Sequence, residues 1–299
     1  MIFTQWPWQH WARRRGDEAA LILDDQTLTW RQLCRKVDAL ASGLRQQGVN
    51  EGACVALRGR NSPQMVLAWL ALMQCGARVL PVNPQLPATL LEQLLPRLNT
   101  DFALELGCEA QITGLPTLTL TPGESDAYGE WQPTRVVSMT LTSGSTGLPK
   151  AAVHTAQAHL ASAQGVLALI PFHPQDSWLL SLPLFHVSGQ GILWRWLLAG
   201  AQMVVRETQP LHQALNGCTH ASLVPTQLWR LLNDPHPLTL KAVLLGGAAI
   251  PVALTDAATQ RGIACWCGYG LTEAASTVCA KRADGKPDVG VALDRKSVV

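Results

Sequence analysis

No run of about 18 apolar residues, the length a membrane-crossing helix needs, occurs in this sequence. The longest candidate, from Val66 to Val82, is broken by Gln74, Gly76 and Arg78. A basic run is equally absent apart from Arg13-Arg14-Arg15, and the formal net charge is only +2. Nucleic acid is therefore not an expected partner. The arginine triplet does not open an export signal, because Gly16-Asp17-Glu18 follows where an apolar core should stand; it reads as a solvated helix end. The eight cysteines (Cys34, Cys54, Cys75, Cys108, Cys218, Cys265, Cys267 and Cys279) include no C-x-x-C pair and no ligand-like cluster. They read as reduced core thiols of a reducing compartment, with Cys265 and Cys267 on one face of an expected strand. Internal repeats and low-complexity tracts are missing too. The expectation is a soluble, cytoplasmic protein without a membrane partner, with homo-oligomerisation left open.

What is present is apolar bulk. Over 299 residues, 47% are hydrophobic and 15% charged, enough for a sizeable core and too apolar for disorder. The length favours two packed lobes. An amphipathic helix over residues 4–15 and a short strand at 19–23 open the chain. Thr29-Trp30-Arg31-Gln32 is a capping-box pattern that starts a helix ending at Gly48. Strands are expected at 54–57, 78–82 and 102–106, a Ser62-Pro63 helix start runs to Gln74, and a helix covers 87–98. Residues 107–134 read as irregular.

The alternation resumes with a helix at 156–169. Strands follow at 178–181, 202–205, 221–224, 241–245 and 263–267, with helices at 190–198, 210–215, 226–232 and 251–261. Repeated β-α units with apolar strands predict an α/β fold of two parallel-sheet lobes covered by helices. The expected division is 1–165 for the first lobe, 166–290 for the second and 291–299 as an atypical tail. Ligands of such sheets sit beyond the carboxyl ends of the strands.

Val136–Leu141, an apolar run, leads into Thr142-Ser143-Gly144-Ser145-Thr146-Gly147-Leu148-Pro149-Lys150, and Ala151-Ala152-Val153 follows. Strand, polar loop, strand is the reading. Glycines let backbone N–H groups converge on an anion, the three hydroxyls add donors, and Lys150 adds a point charge. Such a loop holds phosphates. It is not an NTPase P-loop, since Lys150 stands three residues after Gly147 and Pro149 opposes an immediate helix start. The bland alternative is a solvated Ser/Gly linker, which would rarely be flanked by apolar strands.

Three further segments stand at strand ends. Gly246-Gly247-Ala248 follows an apolar strand and leaves room for a flat ring, although tight turns without ligand look the same. Cys267-Gly268-Tyr269-Gly270-Leu271-Thr272-Glu273 offers an aromatic that can stack on a base, a hydroxyl, and a carboxylate suited to Mg²⁺; Thr272 and Glu273 also fit the start of a following helix. In Pro183–Trp196, His186 follows a strand and Arg195 is the only charge in an otherwise apolar helix. A buried guanidinium must snorkel, pair with an acid, or face a pocket. A dicarboxylic aromatic acid would need it, and a fatty acid would not. Ser222 is a plausible companion donor.

T-S-G-S-T-G-x-P-K at 142–150 resembles the signature loop of the adenylate-forming superfamily of acyl-CoA synthetases, firefly luciferase and non-ribosomal adenylation domains. That resemblance covers residues 1 to about 290, and Trp6-Pro7-Trp8 and Pro81-Val82-Asn83-Pro84 extend it toward the acid–CoA ligases. It implies ATP, Mg²⁺ and CoA, with an acyl-adenylate made first and a thioester second. By resemblance Thr142, Ser143, Gly144, Ser145, Thr146, Gly147 and Lys150 bind the phosphates, and Gly246, Gly247 and Ala248 flank adenine. Tyr269 packs on that base, Thr272 contacts the α-phosphate and Glu273 ligates magnesium. His186 lies beside the reacting carboxylate, while Arg195, Ser222 and Gly268 line the acid site. The implied acid is 2-succinylbenzoate of menaquinone biosynthesis.

The family continues past Gly290 where this chain reads Val291–Val299. Its ribose-binding aspartate, hinge and catalytic lysine fall outside these residues. The resemblance therefore implies weak ATP binding, trace adenylation and no CoA ligation by these residues alone. Two rival readings are an acyl-adenylate-binding module without turnover and a kinase-like ATPase.

Overall fold

Capped helices alternating with apolar strands build two parallel-sheet units in the computed structural model, which describes residues 2–108, 112–124, 129–142 and 147–293. In chain order the first elements are α1 (Pro7–Arg14), β1 (Ala19–Ile22), β2 (Thr27–Thr29), α2 (Trp30–Gln46), β3 (Cys54–Gly59), α3 (Pro63–Gln74), β4 (Arg78–Val82), α4 (Ala88–Leu94) and β5 (Phe102–Leu106). Next come β6 (Val136–Thr142), β7 (Lys150–Thr155), α5 (Ala156–Leu169), β8 (Ser177–Leu179), α6 (Val187–Ala199), β9 (Gln202–Val204) and α7 (Leu211–Ala214). The last are β10 (His220–Leu223), α8 (Pro225–Leu232), β11 (Ala242–Leu245), α9 (Val252–Gln260), β12 (Ala264–Leu271), β13 (Ser276–Arg282) and β14 (Val291–Ala292). No helix among the described residues is long and apolar enough to cross a membrane.

The first unit comprises Met1–Glu18, Leu28–Gln157 and Leu184–His186. Its five-stranded sheet runs β5-β3-β4-β6-β7, parallel except where β7 turns back on β6. The capping box forms as expected: Thr29 Oγ1 accepts from the Gln32 amide at 3.2 Å, and Gln32 Oε1 accepts from the Thr29 amide at 2.9 Å. Ser62 caps α3 through the Met65 amide at 3.1 Å. Trp6 and Trp8 stack with ring centroids 5.0 Å apart. Each indole N–H is satisfied, Trp6 by the Gly129 carbonyl and Trp8 by Gln74 Oε1, both at 2.8 Å; buried tryptophans otherwise leave a donor unpaid.

The second unit comprises Ala19–Thr27, Ala158–Pro183 and Val187–Val299. Its sheet runs β14-β13-β12-β11-β10-β8-β9-β1-β2. From β12 to β1 every pairing is parallel, while β13 and β14 are added antiparallel. Its core packs Leu179, Ala221, Leu223, Leu228, Val243, Leu245, Ala258 and Cys265 between sheet and helices.

Three features differ from the sequence reading. The division falls after Gln157 where the sequence reading put it after Gly165, and Ala19–Thr27 goes with the second unit, because β1 pairs with β9 through Leu21 and Met203. That pairing is remote in sequence and leaves no local trace. Thr272–Ala275 form a turn between β12 and β13, so the helix start considered for Thr272 and Glu273 does not occur. Val291-Ala292, assigned to the tail, pairs with β13; residues 294–299 lie outside the described residues.

The first unit also buries a charge pair. Arg58 Nη1 meets Glu105 Oε1 at 3.1 Å with both side chains under a tenth exposed, and Arg58 Nη2 donates to the carbonyls of Pro84 and Leu86. Removing one partner strands a buried charge, whereas removing both does not. Glu105→Gln should therefore cost about 3–5 kcal/mol in a urea melt, and Arg58→Met with Glu105→Leu should restore most of it. A double variant no more stable than the single one would show that the carbonyl contacts, not the ion pair, carry the effect.

Candidate functional site

In the first unit, β6 and β7 form a hairpin whose mouth pairs Thr142 with Lys150. Thr142 Oγ1 reaches the Lys150 carbonyl at 3.5 Å. Of the expected phosphate loop, Ser143, Gly144, Ser145 and Thr146 lie outside the described residues. Gly147 takes φ of +123°, a conformation that suits only glycine, and Lys150 is exposed. His186 belongs to this unit. Its ring reaches solvent, but neighbouring atoms desolvate it enough to lower its pKa below the ordinary value, so the imidazole is neutral at pH 7.

The second unit aligns the other motifs at one edge of its parallel sheet. β10, β11 and β12 run parallel with Leu223, Leu245 and Cys267 in register, so the segments that follow them emerge side by side. Gly246 follows β11, and a methyl group built on it would lie 3.2 Å from the Gly268 carbonyl of β12; the two expected glycines are thus neighbours. Gly247 takes φ of +81°, and Ala248 is exposed. Tyr269 is half exposed at the end of β12, beside a register shift between Tyr269 and Gly270. Thr272 is partly buried and Glu273 exposed in the turn that follows. A hydroxyl and a free carboxylate at a strand-end turn are hard oxygen donors, the set Mg²⁺ accepts together with phosphate oxygens. Among the described residues, the only three-residue group with metal-ligating spacing is His212, Asp234 and His236, which does not include Glu273.

Arg195 is the electrostatic centre of this unit. Every α6 residue from Gly189 to Leu198 is buried, and Arg195 is 2% exposed. It forms no ion pair with a described residue. Its guanidinium lies over the Trp178 ring, 4.7 Å from the centroid, a cation–π contact worth about 2 kcal/mol where water is excluded. Nη2 donates to Ser222 Oγ at 3.1 Å, and the Trp178 indole donates to the same oxygen at 3.2 Å. Nε has no partner. Desolvation pulls the guanidinium down to about 9, which still leaves it charged at neutral pH. Ser222, expected as a donor, is thus first an acceptor, and its own proton remains available. Arg195 and Ser222 are brought together as expected.

An apolar cleft of about 660 Å³ between α8 and α9, with Trp229 and Leu254 in its wall, shares Ala248 with the strand-end edge. Among the described residues that line it, none is titratable.

The family model for AMP-binding enzymes matches residues 8–298. The chain belongs to the AMP-binding enzyme family. Among its AMP-binding relatives, the 2-succinylbenzoate–CoA ligase of Salmonella typhimurium is 66% identical over 298 residues, covering 100% of this chain and 66% of that protein. The Haemophilus influenzae 2-succinylbenzoate–CoA ligase is 42% identical over 96% of this chain and 63% of its own length. In structure, the R195K variant of E. coli MenE with bound OSB-AMS superposes with a TM-score of 0.95 at 65% identity, over 98% of this chain and 66% of that one. Bacillus subtilis MenE in complex with ATP and magnesium ion gives 0.85 at 25% identity, over 93% of this chain and 62% of that one. The chain spans about two-thirds of the length of the curated relatives it matches.

Sequence reasoning missed two residues beside Arg195. Trp178 carries the Arg195 guanidinium, yet a tryptophan in an apolar strand gives no sign of it. Gly191 stands one helical turn before Arg195, and that i, i+4 spacing was the available signal.

Buried His220 sits on the same strand as Ser222, bonded through Nε2 to the Pro171 carbonyl at 2.9 Å. Desolvation is the leading cause that lowers its pKa from the model-compound value of 6.5. A lowered pKa means that the unfolded chain takes up the proton first, so this group's contribution is complete above about pH 6.5 and is lost as pH falls toward the folded value. Denaturant melts at pH 7.5 and 5 should show a larger loss of stability for the natural chain than for His220→Gln, by about 1.4 kcal/mol for each pKa unit of difference within that range. Equal losses would mean that His220 does not titrate in this range.

Proposed function

We propose that this chain carries the ATP and acid sites of an ATP-dependent acid–CoA ligase acting on 2-succinylbenzoate. The observation that carries this reading is the buried, charged Arg195 without an acid partner among the described residues. A spectator carboxylate would complete it, and the similar Salmonella and Haemophilus proteins are named for a dicarboxylate that has one.

On this reading the aliphatic carboxylate of 2-succinylbenzoate attacks the α-phosphorus of ATP. The P–O bond to pyrophosphate breaks, leaving a mixed anhydride. The thiol of CoA, giving up its proton, then attacks the acyl carbon and AMP departs. Neutral His186 lies beside the reacting carboxylate without adding charge to it. Thr142, Lys150 and the hydroxyls of Ser143, Ser145 and Thr146 bind the β- and γ-phosphates; Thr272 binds the α-phosphate. Gly246, Gly247 and Ala248 leave room for adenine, against which Tyr269 packs. Arg195 and Ser222 hold the aryl carboxylate, with Gly268 alongside. Glu273 would hold Mg²⁺, which neutralises charge on the phosphate oxygens when bound. Catalysis of this type is chiefly positioning and charge neutralisation.

Pyrophosphate release that depends on added acid separates this reading from a binding module without turnover and from an ATPase. Two substitutions test the assignments by calorimetric titration. Arg195→Ala should weaken 2-succinylbenzoate about ten- to a hundredfold, the worth of one charge-assisted hydrogen bond, and should spare 4-oxo-4-phenylbutanoate, which lacks the aryl carboxylate. Equal loss for both acids would make Arg195 structural. Lys150→Ala should weaken ATP far more than AMP; parallel losses would move Lys150 away from the terminal phosphates.

A further inference from the structure

Three side chains that the proposed reaction leaves unused meet on the second unit. His212 lies in α7, Asp234 just past the end of α8, and His236 two residues further on. His212 Nδ1 stands 2.9 Å from Asp234 Oδ2, and His236 Nδ1 bonds the other oxygen, Oδ1. The two imidazole rings are stacked within 4° of parallel, their centroids 4.0 Å apart. One ligand atom from each residue falls within 4.8 Å of the other two. The core fixes this meeting, although β10 separates α7 from α8 in sequence. Leu211 beside His212, and Leu232 and Leu238 on either side of Asp234 and His236, pack against one buried cluster.

Two imidazoles and a carboxylate are a donor set of borderline divalent ions, Zn²⁺ foremost. The carboxylate is held ionised: hydrogen bonds from the His236 amide and then its ring pull Asp234 below the ordinary carboxylate range. An ionised carboxylate only accepts, so each Nδ1 carries its proton in this arrangement. Neither Nε2 bonds to a described residue. Each proton can therefore pass through water to Nε2 and leave the Nδ1 lone pair to an ion. With neutral imidazoles the trio bears one negative charge, which a divalent ion offsets. Stacked rings cannot aim both lone pairs at one point about 2.0–2.1 Å from each nitrogen. His236 is the exposed member, and its ring turns out of the stack to meet the ion. His212 and Asp234, both partly buried, stay where the core holds them. The solvent side leaves a fourth position for water.

We propose that His212, Asp234 and His236 form a binding site for a borderline divalent ion of the Zn²⁺ type, which ties α7 to the segment after α8. No residue of this site belongs to the ATP or acid assignments, so those stand or fall separately.

The test strips the chain of metal with a chelator, dialyses it, and titrates it calorimetrically with ZnCl₂ and with MgCl₂. His236→Ala and His212→Gln are treated alike, and all three are melted thermally with and without Zn²⁺. Thiols elsewhere also take Zn²⁺, and Co²⁺ tells the two apart, because thiolate ligation adds intense charge-transfer bands that a nitrogen–oxygen site lacks. The expected result is one Zn²⁺ on the natural chain, a cobalt spectrum without those bands, and a melting temperature raised by Zn²⁺. Each variant should bind the ion more than about tenfold more weakly, since losing even an outer partner of a metal ligand costs that much, and should lose the thermal shift. Unchanged Zn²⁺ affinity in His236→Ala overturns the proposal, because that exposed ring is not needed for folding and the ion must then sit elsewhere. Absence of Zn²⁺ binding overturns it too, by making the trio a hydrogen-bonded clasp only. Mg²⁺ binding as strong as that of Zn²⁺ would overturn the assignment to an imidazole-seeking ion.

Discussion

A positive charge buried in an apolar helix without a negative partner is the constraint on which the second unit depends. Desolvating a guanidinium costs several kcal/mol, and no carboxylate among the described residues offsets it. The compensation is assembled from neutral groups: the face of Trp178 below the guanidinium and the oxygen of Ser222 at its edge. Trp178 is fixed in turn by its own hydrogen bond to Ser222, so three side chains from α6, β8 and β10 form a closed triangle. Each contact is weaker than an ion pair. Their sum tolerates the charge while leaving part of the guanidinium unspent.

That unspent capacity depends on close packing by small residues. Gly189 admits the Pro183 carbonyl, which would lie 2.2 Å from any added methyl group, and Gly191 admits Ser276. α6 is therefore a helix in which glycine's usual penalty is accepted so that loop and strand can approach. β13, which supplies Ser276, is antiparallel to the strands before it. A parallel strand would have needed a crossover of a dozen residues, whereas the short turn at Thr272–Ala275 returns the chain directly beside β12. The base-stacking candidate Tyr269, the turn residues Thr272 and Glu273, and Ser276 are thereby carried by one hairpin.

Much of the architecture was legible because local chemistry and tertiary structure agree. Thr29 with Gln32, and Ser62 ahead of Pro63, start helices where the Thr29, Gln32 and Ser62 side chains satisfy free amides, and the helix at 156–169 is found with those limits. The apolar strands Ala242–Leu245 and Cys54–Gly59 have no other stable location than a covered sheet. What was missed depended on distant partners. β1 shows nothing in Ala19–Ile22 that favours Met203 over a neighbour in the first sheet. β13 lacks the apolar run of a buried strand, since only Ser276 and Ala280 of its seven residues are buried. Arg195 was conspicuous as an isolated charge, and Ser222 was a reasonable companion. Trp178 was invisible, because its contact with Arg195 comes from the direction of a side chain across a sequence gap.

The same incompleteness that burdens the fold supplies discrimination on the proposed reading. A pocket lined only by hydrocarbon distinguishes poorly between acids of similar shape, whereas one holding an unpaired buried donor penalises any ligand that leaves the donor unmet. An acid without the second carboxylate would deepen the desolvation of Arg195 and give nothing in return. The aryl carboxylate instead turns an existing cost into a charge-assisted contact in a site of low polarity, where such contacts are strong. An internal acid opposite Arg195 would have made the unit more stable and the site indifferent to its ligand. On the proposed reading, the absence of one among the described residues is what lets Arg195 answer the ligand's second charge.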